Sequence, residues 1–457
     1  MKKTLILTVA AGFACAMSSM ATQFDLYITG ATAFRQSVYE ACKKLYDVTP
    51  ATNLTMSAGS LVFGGNNIGN SSSSMWTMNG TVAGKIPQFG TDTLAIHADF
   101  NGSVQGLYVV ENSLGIQFLD IAGALITNTA TIAFSDVNSS ATPYPASSTA
   151  NFAEESVAIQ PFVWCTSQSL SNLISNVSLE QVVFGIKQGK LPLSAWSNKA
   201  SDGSTSVYLL TRTKDSGTRR NQFAEAGYAY GYSAPVYIYC ETNATWRKWT
   251  TGSLVQANIG TNVNANVIGA AGAGNANVDS KWGFGYVGGG DFKRLLGNSV
   301  NTSANTSIGY LSFADAKGIL TGTGQNWSQV CSYNGIWPTA AGIGVRGNTG
   351  ANDFSPITNG MYTAWGEEVV VYAKNPMQIV TQPSYPNQNL STSQLGNQTT
   401  PNTILGVLDA QTLISGGSPV PGSIENEIEL SKAAGATAIR LSDMISSRSS
   451  VGGTITP

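Results

Sequence analysis

The sequence predicts an α/β protein, because runs typical of buried strands alternate with helix-like segments along the chain. The clearest strand runs are Phe24–Gly30, Thr131–Asp136 and Val207–Leu210. The first and the last of these lead through a short loop into the start of a helix. No internal repeat is visible, and a chain of 457 residues is long enough for two or three domains.

The beginning of the chain has the pattern of a signal peptide, which we place over residues 1–21. Lys2 and Lys3 give a charged start, an apolar stretch runs from Thr4 to Ala16, and Ser19-Met20-Ala21 fits a small-x-small cleavage site. The apolar stretch is too short to span a bilayer. A lipoprotein anchored at Cys15 is not expected, because the residues before it form a poor lipobox. We expect an exported protein, periplasmic or extracellular.

Asn, Ser, Thr and Gly supply most of the polarity of this chain. Charged residues make up 11% of it, against roughly 25% in an average globular protein. The formal net charge is −2, and it becomes −4 when Lys2 and Lys3 leave with the signal. A nucleic-acid partner is not expected, because binding to a phosphate backbone needs a basic face.

Few residues in the sequence suit metal binding or catalysis. His97 is the only histidine, so a pair of histidine ligands is excluded and Ser-His or Cys-His catalysis is disfavoured. We expect His97 to be a satisfied histidine near the core. Four cysteines remain after loss of the signal, and they could form two disulfides in three possible pairings: Cys42, Cys165, Cys240 and Cys331. We expect no metal, no cofactor and no enzymatic activity.

The first part of the chain contains two predicted helix starts. Phe24–Gly30 alternates as a strand does, and Thr32 lies at the start of a helix whose apolar positions recur to about Tyr46. Residues 51–90 are rich in Gly, Asn, Ser and Thr, which predicts a long insertion that is partly loop. A strand over Thr93–Ala98 and a tight turn then lead to a second helix start at Ser103.

Strands and helices continue to alternate after this point. Thr131–Asp136 predicts a short buried strand that ends in a carboxylate, and a lone Asp in that position is usually a cap or a turn former. Residues 257–278 have the low complexity of a surface excursion, and the stretch from Pro376 to Pro401 resembles a linker. The other predicted strands and helical segments are Val157–Trp164, Asn176–Lys187, Thr306–Ser312, Glu368–Tyr372 and Thr403–Ile414.

The most informative stretch surrounds Arg212. The apolar run Val207–Leu210 predicts a buried strand that ends at this arginine, and Ser216 is a good N-cap for a helix that Gly227 would stop. Strand, short loop and helix N-terminus together form a geometry that holds an anion, because the first helical turn leaves its N–H groups free.

The residue types in this stretch suit a tetrahedral oxyanion. Gly217 lets a ligand approach the backbone, Ser216 and Thr218 add hydroxyl donors, and Arg212 can hold two oxygens at once. A capped helix with surface arginines gives the same local pattern. Taken alone, the stretch therefore leaves both interpretations open.

Taken in order, the segments resemble the periplasmic phosphate-binding proteins of phosphate ABC transporters. The Arg-x-x-x-Ser-Gly-Thr signature of that family is intact as Arg212, Ser216, Gly217 and Thr218, and it is the most specific match. The other matching elements are Ile28-Thr29-Gly30-Ala31-Thr32-Ala33-Phe34, Gly102-Ser103-Val104-Gln105-Gly106, Ser135-Asp136, Leu179–Trp196, Ile308-Gly309-Tyr310 and Asn359-Gly360-Met361-Tyr362.

The resemblance covers about residues 24–375, with two large insertions at 51–90 and 241–305. In strict register Ala33 stands where the family has a ligand-contacting Thr, and Thr32 could serve only after a shift of one residue. The end of the chain after Pro376 has no counterpart in the family.

The resemblance implies a periplasmic-binding-protein-like fold, with two α/β lobes joined by crossing strands and a ligand cleft between them. Lobe 1 would comprise residues 22–160 with 310–375, lobe 2 residues 161–309, and residues 376–457 would form a C-terminal extension. The implied ligand-binding residues are Thr32, Ala33, Phe34, Ser103, Asp136, Arg212, Ser216, Gly217 and Thr218. The implied partners are inorganic phosphate and a membrane ABC permease, and the protein would act as a monomer.

Asp136 bears on which anion is bound. A carboxylate beside a dianion is unfavourable unless the anion carries a proton, as phosphate and arsenate do at neutral pH and sulfate does not. An Asp that accepts this proton would therefore favour phosphate, because sulfate would leave the acceptor unpaired.

Two other classes of function remain at this stage. The Asn/Ser/Thr/Gly-rich insertions and the tail suit a structural or adhesive surface protein on the same scaffold with a degenerate anion site. An exported phosphate-handling enzyme is the weakest alternative, since one histidine and no clustered carboxylates leave little catalytic machinery.

Overall fold

The computed structural model describes residues 23–43, 46–47, 75–81, 93–144, 152–240, 244–248, 285–286, 289–297, 303–320, 329–340, 353–373, 439, 443–448, 450–451 and 455–456. The predictions for the signal peptide, for residues 257–278 and for Thr403–Ile414 lie outside this part of the chain.

The strands are β1 (Gln23–Gly30), β2 (Met75–Thr81), β3 (Thr93–Asp99), β4 (Gly115–Leu119), β5 (Leu125–Thr129), β6 (Ile132–Ser135), β7 (Phe152–Thr166), β8 (Asn176–Val177), β9 (Lys190–Pro192), β10 (Ser206–Leu209), β11 (Tyr237–Cys240), β12 (Thr245–Lys248), β13 (Ser307–Ser312), β14 (Val330–Tyr333), β15 (Trp365–Ala373), β16 (Ser447–Arg448) and β17 (Ile455–Thr456). The α-helices are α1 (Arg35–Lys43), α2 (Ser103–Glu111), α3 (Leu179–Gln188), α4 (Ser194–Ser197), α5 (Gly217–Glu225), α6 (Gly289–Leu296), α7 (Phe313–Leu320) and α8 (Ser355–Thr358).

One large mixed sheet organises the molecule, with the strand order β2-β3-β1-β6-β15-β7-β13-β10-β9. Strands β3, β1 and β6 are parallel neighbours in the first half, and β13 and β10 are parallel neighbours in the second. Parallel strands need helices on the sheet faces, and α2 and α5 follow the strands in this way. The predicted α/β class is confirmed.

The long strand β7 joins two lobes. Its first part, up to Pro161, pairs with β15, and its second part, from Phe162 onward, pairs with β13. Each half-sheet has its own core. Phe34, Trp76 and Phe134 lie in the core of the first lobe, whereas Trp164 and Phe292 lie in that of the second. The two-lobed arrangement with crossing strands therefore follows from the sheet topology itself.

Segments that follow residue 310 still pair and pack with the second half-sheet. Strands β13 and β14 both pair with the second part of β7. Phe354, Ile357 and Tyr362 pack in the same core as these strands. The chain therefore returns to the first lobe only at β15, since β15 is the strand that pairs with the first part of β7.

The two disulfides that the four cysteines could form are not present. Cys42, Cys165 and Cys331 are free and buried, and the side chain of Cys240 lies outside the described residues. Free cysteines pack in protein interiors as small apolar residues, so a wide spacing in sequence is no guide to pairing.

Parts of the predicted insertion and of the C-terminal extension belong to the folded body. Met75–Thr81, within the predicted insertion, forms the edge strand β2 along β3. Ile439 exchanges backbone hydrogen bonds with Ile159 on β7, and the guanidinium of Arg448 lies 3.1 Å from the carboxylate of Glu225. Among the described residues, no helix has both the length and the apolar character of a membrane span.

Candidate functional site

Three segments meet where the two lobes join: the N-terminus of α2, the residue after β6, and the N-terminus of α5. Ser103 opens α2 and Asp136 follows β6, both in the first lobe, while Gly217 and Thr218 open α5 in the second lobe. All four residues are buried. The site is thus built from ends of elements that lie far apart in sequence.

The start of α5 is formed as the sequence predicts. Ser216 is the N-cap, and its hydroxyl accepts a hydrogen bond from the backbone N–H of Arg219 at 3.2 Å. Gly227 has a φ of 78° just after the end of the helix, a conformation that suits glycine. Because the Ser216 hydroxyl caps its own helix, the first turn of α5 is ordered without a bound ligand.

Gly217 allows the two lobes to approach closely. Its N–H donates to the hydroxyl of Ser103 at 3.2 Å. A Cβ at this position would lie 2.7 Å from the Cβ of Ser103 and 2.8 Å from the Cβ of Asp136. No side chain larger than hydrogen fits there while the lobes remain together, so the glycine of the signature has a steric reason.

The start of α2 faces the same junction from the first lobe. The backbone N–H of Val104 donates to the carbonyl oxygen of Asp215 at 2.9 Å, so the loop before α5 satisfies a free N–H of α2. Ser103 is 1% exposed. The tight turn predicted before it is present, with Gly102 as the residue that precedes the helix.

Asp136 is the acceptor at the centre of the cluster. One of its carboxylate oxygens, Oδ2, accepts the hydroxyl of Thr218 at 3.0 Å, and its carbonyl oxygen accepts the side-chain amide of Asn221 at 2.8 Å. Burial raises the pKa of Asp136. Hydrogen bonding with Glu368 and Thr218, the charge of Arg212 and the nearby hydroxyl of Ser103 act in the opposite direction.

Arg212 supplies a buried positive charge beside this acceptor. Its Nε donates to the carbonyl oxygen of Tyr286 at 3.2 Å, and its backbone N–H donates to the hydroxyl of Tyr310 at 3.4 Å. These contacts fix the base of the side chain. The flanking residues Thr211 and Thr213 carry buried hydroxyls for which the described residues offer no hydrogen-bond partner.

The start of α1 lies at the same junction but is engaged differently. The backbone N–H of Phe34 donates to the carbonyl oxygen of Ala31 at 3.2 Å, and the ring of Phe34 is buried in the core. The guanidinium of Arg35 donates to the carbonyl oxygen of Thr32 and lies 3.0 Å from the carboxylate of Asp315, which is on α7 in the second lobe. Ala33 is buried in the same turn.

Four of the predicted site residues meet in the structure: Gly217 donates to Ser103, and Thr218 donates to Asp136. Sequence reasoning missed Asn221, whose side-chain amide donates to the carbonyl oxygen of Asp136, and Glu368, which lies opposite Asp136 next to the pairing of β15 with β6. Asn221 lies one helical turn after Gly217, so helical spacing could have predicted that both residues lie on the same face of α5. Glu368 lies on a strand distant in sequence, and no local pattern indicates its role.

His97 lies outside the site. Its two ring nitrogens lie 3.0 Å from a carboxylate oxygen of Asp25 and 2.6 Å from the carbonyl oxygen of Leu119, and its ring stacks on Tyr27. It is therefore a satisfied core histidine, as predicted. No cluster of three or more His, Cys, Asp or Glu side chains suited to a metal ion occurs in the described part of the chain.

Donors and one acceptor converge at this junction, and such a set can bind an oxyanion that itself carries a proton. The backbone N–H of Gly217 and the hydroxyl of Thr218 are donors, and Arg212 adds a formal positive charge. Asp136 is the acceptor. Groups of this kind can bind and orient an anion.

No protein-family model and no curated protein sequence matches the chain. Among solved structures, it is similar to an ABC-type phosphate transport receptor from Vibrio cholerae, with 10% identity, 83% of this chain and 97% of that chain covered, and a TM-score of 0.35. It is also similar to a high-affinity periplasmic phosphate-binding protein solved with phosphate, with 13% identity, coverage of 91% and 96%, and a TM-score of 0.37.

A human phosphate-binding apolipoprotein is a third similar structure, with 14% identity, coverage of 90% of this chain and 94% of that chain, and a TM-score of 0.33. TM-scores this low describe distant likenesses. They do not identify a ligand for this chain, so a function has to be supported by its own residues.

Proposed function

We propose that this protein is an exported solute-binding protein that captures inorganic phosphate, or a similarly protonated oxyanion such as arsenate, in the cleft between its lobes. The observation that carries the proposal is the buried carboxylate of Asp136, which meets the hydroxyl of Thr218 at the N-terminus of α5. A helix N-terminus with an arginine nearby attracts an anion, and a carboxylate in the same place requires that the anion bring a proton.

The contacts between the lobes suggest how such an anion would be held. In this structure Ser103 accepts from the N–H of Gly217, and Asp136 accepts from Thr218. An anion between the lobes would take over both donors of α5 and would offer its own proton to Asp136. Arg212 would neutralise its charge, since a buried anion is stable only when it is paired.

Asp136 would also set the selectivity. Phosphate at neutral pH carries a proton that can be donated to a carboxylate, whereas sulfate carries none. Sulfate would therefore leave the buried acceptor of Asp136 unsatisfied, which costs about 1 to 3 kcal/mol, or more for a charged group. That difference corresponds to roughly 5- to 150-fold in affinity.

The first turn of α1 is expected to contribute less. Thr32 and Ala33 would offer a hydroxyl and backbone N–H groups, while the N–H of Phe34 is already bonded to Ala31 within the turn. Ser216 would contribute mainly by capping α5, because its hydroxyl already accepts from Arg219.

The two-lobed architecture suits a hinge that closes on the ligand. Bound anion would stabilise the closed form, and a membrane ABC permease could then recognise that form. In this proposal the protein acts as a monomer without catalytic activity in the periplasm or outside the cell.

A structural or adhesive surface protein is the second candidate. It is favoured by the direct contacts between the lobes, because Ser103 with Gly217 and Asp136 with Thr218 satisfy one another without an anion. On this alternative the signature would be retained for its packing. Binding measurements separate the two candidates.

The test is a calorimetric titration of the purified protein with phosphate and with sulfate at about pH 7, where phosphate carries at least one proton. The proposal predicts phosphate binding that is clearly tighter than sulfate binding. Binding of neither anion would favour the structural alternative. The variant Asp136→Asn should weaken discrimination against sulfate more than it weakens phosphate binding, and equal losses for both anions would contradict the acceptor role.

A further inference from the structure

Glu368 is a buried carboxyl group in the middle of β15, one of the two strands that cross between the lobes. Its side chain is 0% exposed, and neither of its oxygens receives a hydrogen bond from an N–H or hydroxyl group of the described residues. An ionised carboxylate in such surroundings is strongly unfavourable, so the group must share or hold a proton.

The partner of Glu368 is Asp136. Strand β15 runs antiparallel to β6 with Val369 opposite Ser135, so Glu368 and Asp136 form the next opposed pair. Oδ1 of Asp136 also lacks an N–H or hydroxyl donor among the described residues. Burial raises the pKa of Glu368 well above its ordinary value, and the negative charge of Asp136 raises it further. Two buried carboxyl groups in contact share one proton, because both cannot ionise together.

The surroundings decide which member of the pair keeps the proton. The charge of Arg212 acts on Asp136, and the hydroxyls of Thr218 on α5 and Ser103 on α2 favour its ionised form. No such group acts on Glu368, whose strand partner on β7 is Ala158. The negative charge therefore belongs on Asp136 and the proton on Glu368.

The strand pairing has an irregularity of the β-bulge type next to Glu368, which changes the direction of its side chain. The pairing of β15 with β7 shifts its register between Glu368 and Val369. Such bulges re-aim a side chain and are common beside functional sites. The neighbouring Glu367 is engaged elsewhere, by the hydroxyl of Ser156 on β7.

We propose that Glu368 is the specificity-determining positioning residue of the site: its protonated carboxyl donates to Asp136 and holds Asp136 as an acceptor that only a proton-bearing oxyanion can satisfy. This rests on the proposed function, which it extends. Without the donor, buried Asp136 would take up a proton itself and become a donor, and a donor suits sulfate.

Two substitutions of Glu368 are expected to have different effects on the preference for phosphate over sulfate. Glu368→Gln retains an N–H donor toward Asp136, so the preference for phosphate over sulfate should be kept. Glu368→Met has a similar size and no donor, so the preference should fall about tenfold or more, in line with the loss of one hydrogen bond to a charged group. Glu367→Gln on the same strand is the matched control and should behave as wild type.

The pH profile gives a second readout. At high pH the wild-type pair loses its shared proton, two carboxylates then lie beside the anion, and phosphate affinity should fall. Glu368→Gln has no such proton, so its phosphate affinity should fall less as the pH rises above the raised pKa of Glu368. A retained preference in Glu368→Met, or identical profiles for wild type and Glu368→Gln, would overturn the role of Glu368.

A measurement without any anion separates this inference from the proposed function. A carboxyl whose pKa is raised by folding stabilises the protein fully below its unfolded pKa of about 4.3, and this contribution is lost as the pH rises towards the folded pKa. The melting temperature of wild type should therefore fall more steeply between about pH 5 and about pH 8 than that of Glu368→Gln.

The anion titration and the pH dependence of the melting temperature can give different answers. A steeper fall in wild type together with binding of neither anion would reject the proposed function and keep the shared proton. Phosphate binding together with equal slopes would keep the proposed function and reject the role of Glu368.

Discussion

The N-termini of α1 and α5 look alike in sequence, since each follows a strand and a glycine- and hydroxyl-containing loop, but the structure engages them differently. At α1, Arg35 lies over the first turn and pairs with Asp315 of the other lobe. At α5, the N–H of Gly217 and the hydroxyl of Thr218 bond to Ser103 and Asp136. One helix start is closed by an ion pair, whereas the other presents donors to an acceptor.

A helix start therefore becomes a candidate anion site through the groups that the opposing lobe places beside it. A cation at a helix N-terminus opposes the helix dipole, and at α1 the carboxylate of Asp315 compensates for Arg35. At α5 the opposing group is Asp136, whose carboxylate can accept a hydrogen bond from a protonated ligand in place of the one from Thr218. We therefore expect α1 to act in stability and lobe docking, and α5 to act in binding.

The largest expected effect separates the two arginines. Arg212→Gln should weaken phosphate binding by about 2 to 5 kcal/mol, which is roughly 30-fold or more, because a buried anion would lose its charged partner. Arg35→Gln should leave Asp315 buried without its partner and cost about 3 kcal/mol of stability. Calorimetry with phosphate and thermal unfolding measure the two quantities.

The assignment of α1 to stability and of α5 to binding would be contradicted if the two arginine variants showed the opposite effects. A large loss of affinity in Arg35→Gln, with a melting temperature unchanged from wild type, would assign α1 to the binding site.

The next effect concerns close approach at α5. Gly217→Ala places a methyl group 2.7 Å from the Cβ of Ser103, so the lobes must move apart. We expect a cost of about 1 to 3 kcal/mol in the closed form, with a corresponding loss of phosphate affinity. Gly290→Ala, in the first turn of α6, meets no atom within 4 Å and is the matched control.

Gly290→Ala should leave affinity unchanged and raise stability slightly, because alanine favours a helix. Wild-type affinity in Gly217→Ala would show that the lobes need not approach in this way.

The last comparison concerns two hydroxyls, and it includes the smallest expected effect, that of Thr32. Thr218→Val removes the donor to Asp136 and should weaken phosphate binding by about 1.5 to 3 kcal/mol, or roughly 10- to 150-fold. Thr32→Val removes the hydroxyl at the start of α1 and should change affinity by no more than about 0.5 kcal/mol. Equal losses in the two variants, measured by the same titration, would place both helix starts in contact with the anion.

Sequence patterns were reliable where the interaction is local. The strand before Arg212, the cap at Ser216 and the helix start at Ser103 depend on residues a few positions apart, and all three are present. They carry less information where the interaction is distant. The return of the chain to the first lobe depends on which strand pairs with each part of β7, and no local pattern near residue 310 indicates that pairing.

The α/β class, the ends of elements at which a site could form and the residue types suited to an oxyanion could all be predicted from the sequence. These follow from periodicity, capping and side-chain chemistry, which act over short stretches of chain. Three contacts became visible only in the folded chain: Asp136 with Thr218, Arg35 with Asp315, and Glu368 opposite Asp136. Burial and charge pairing depend on groups that the crossing strands bring together. Because these groups lie far apart in the sequence, no local pattern shows that they become neighbours.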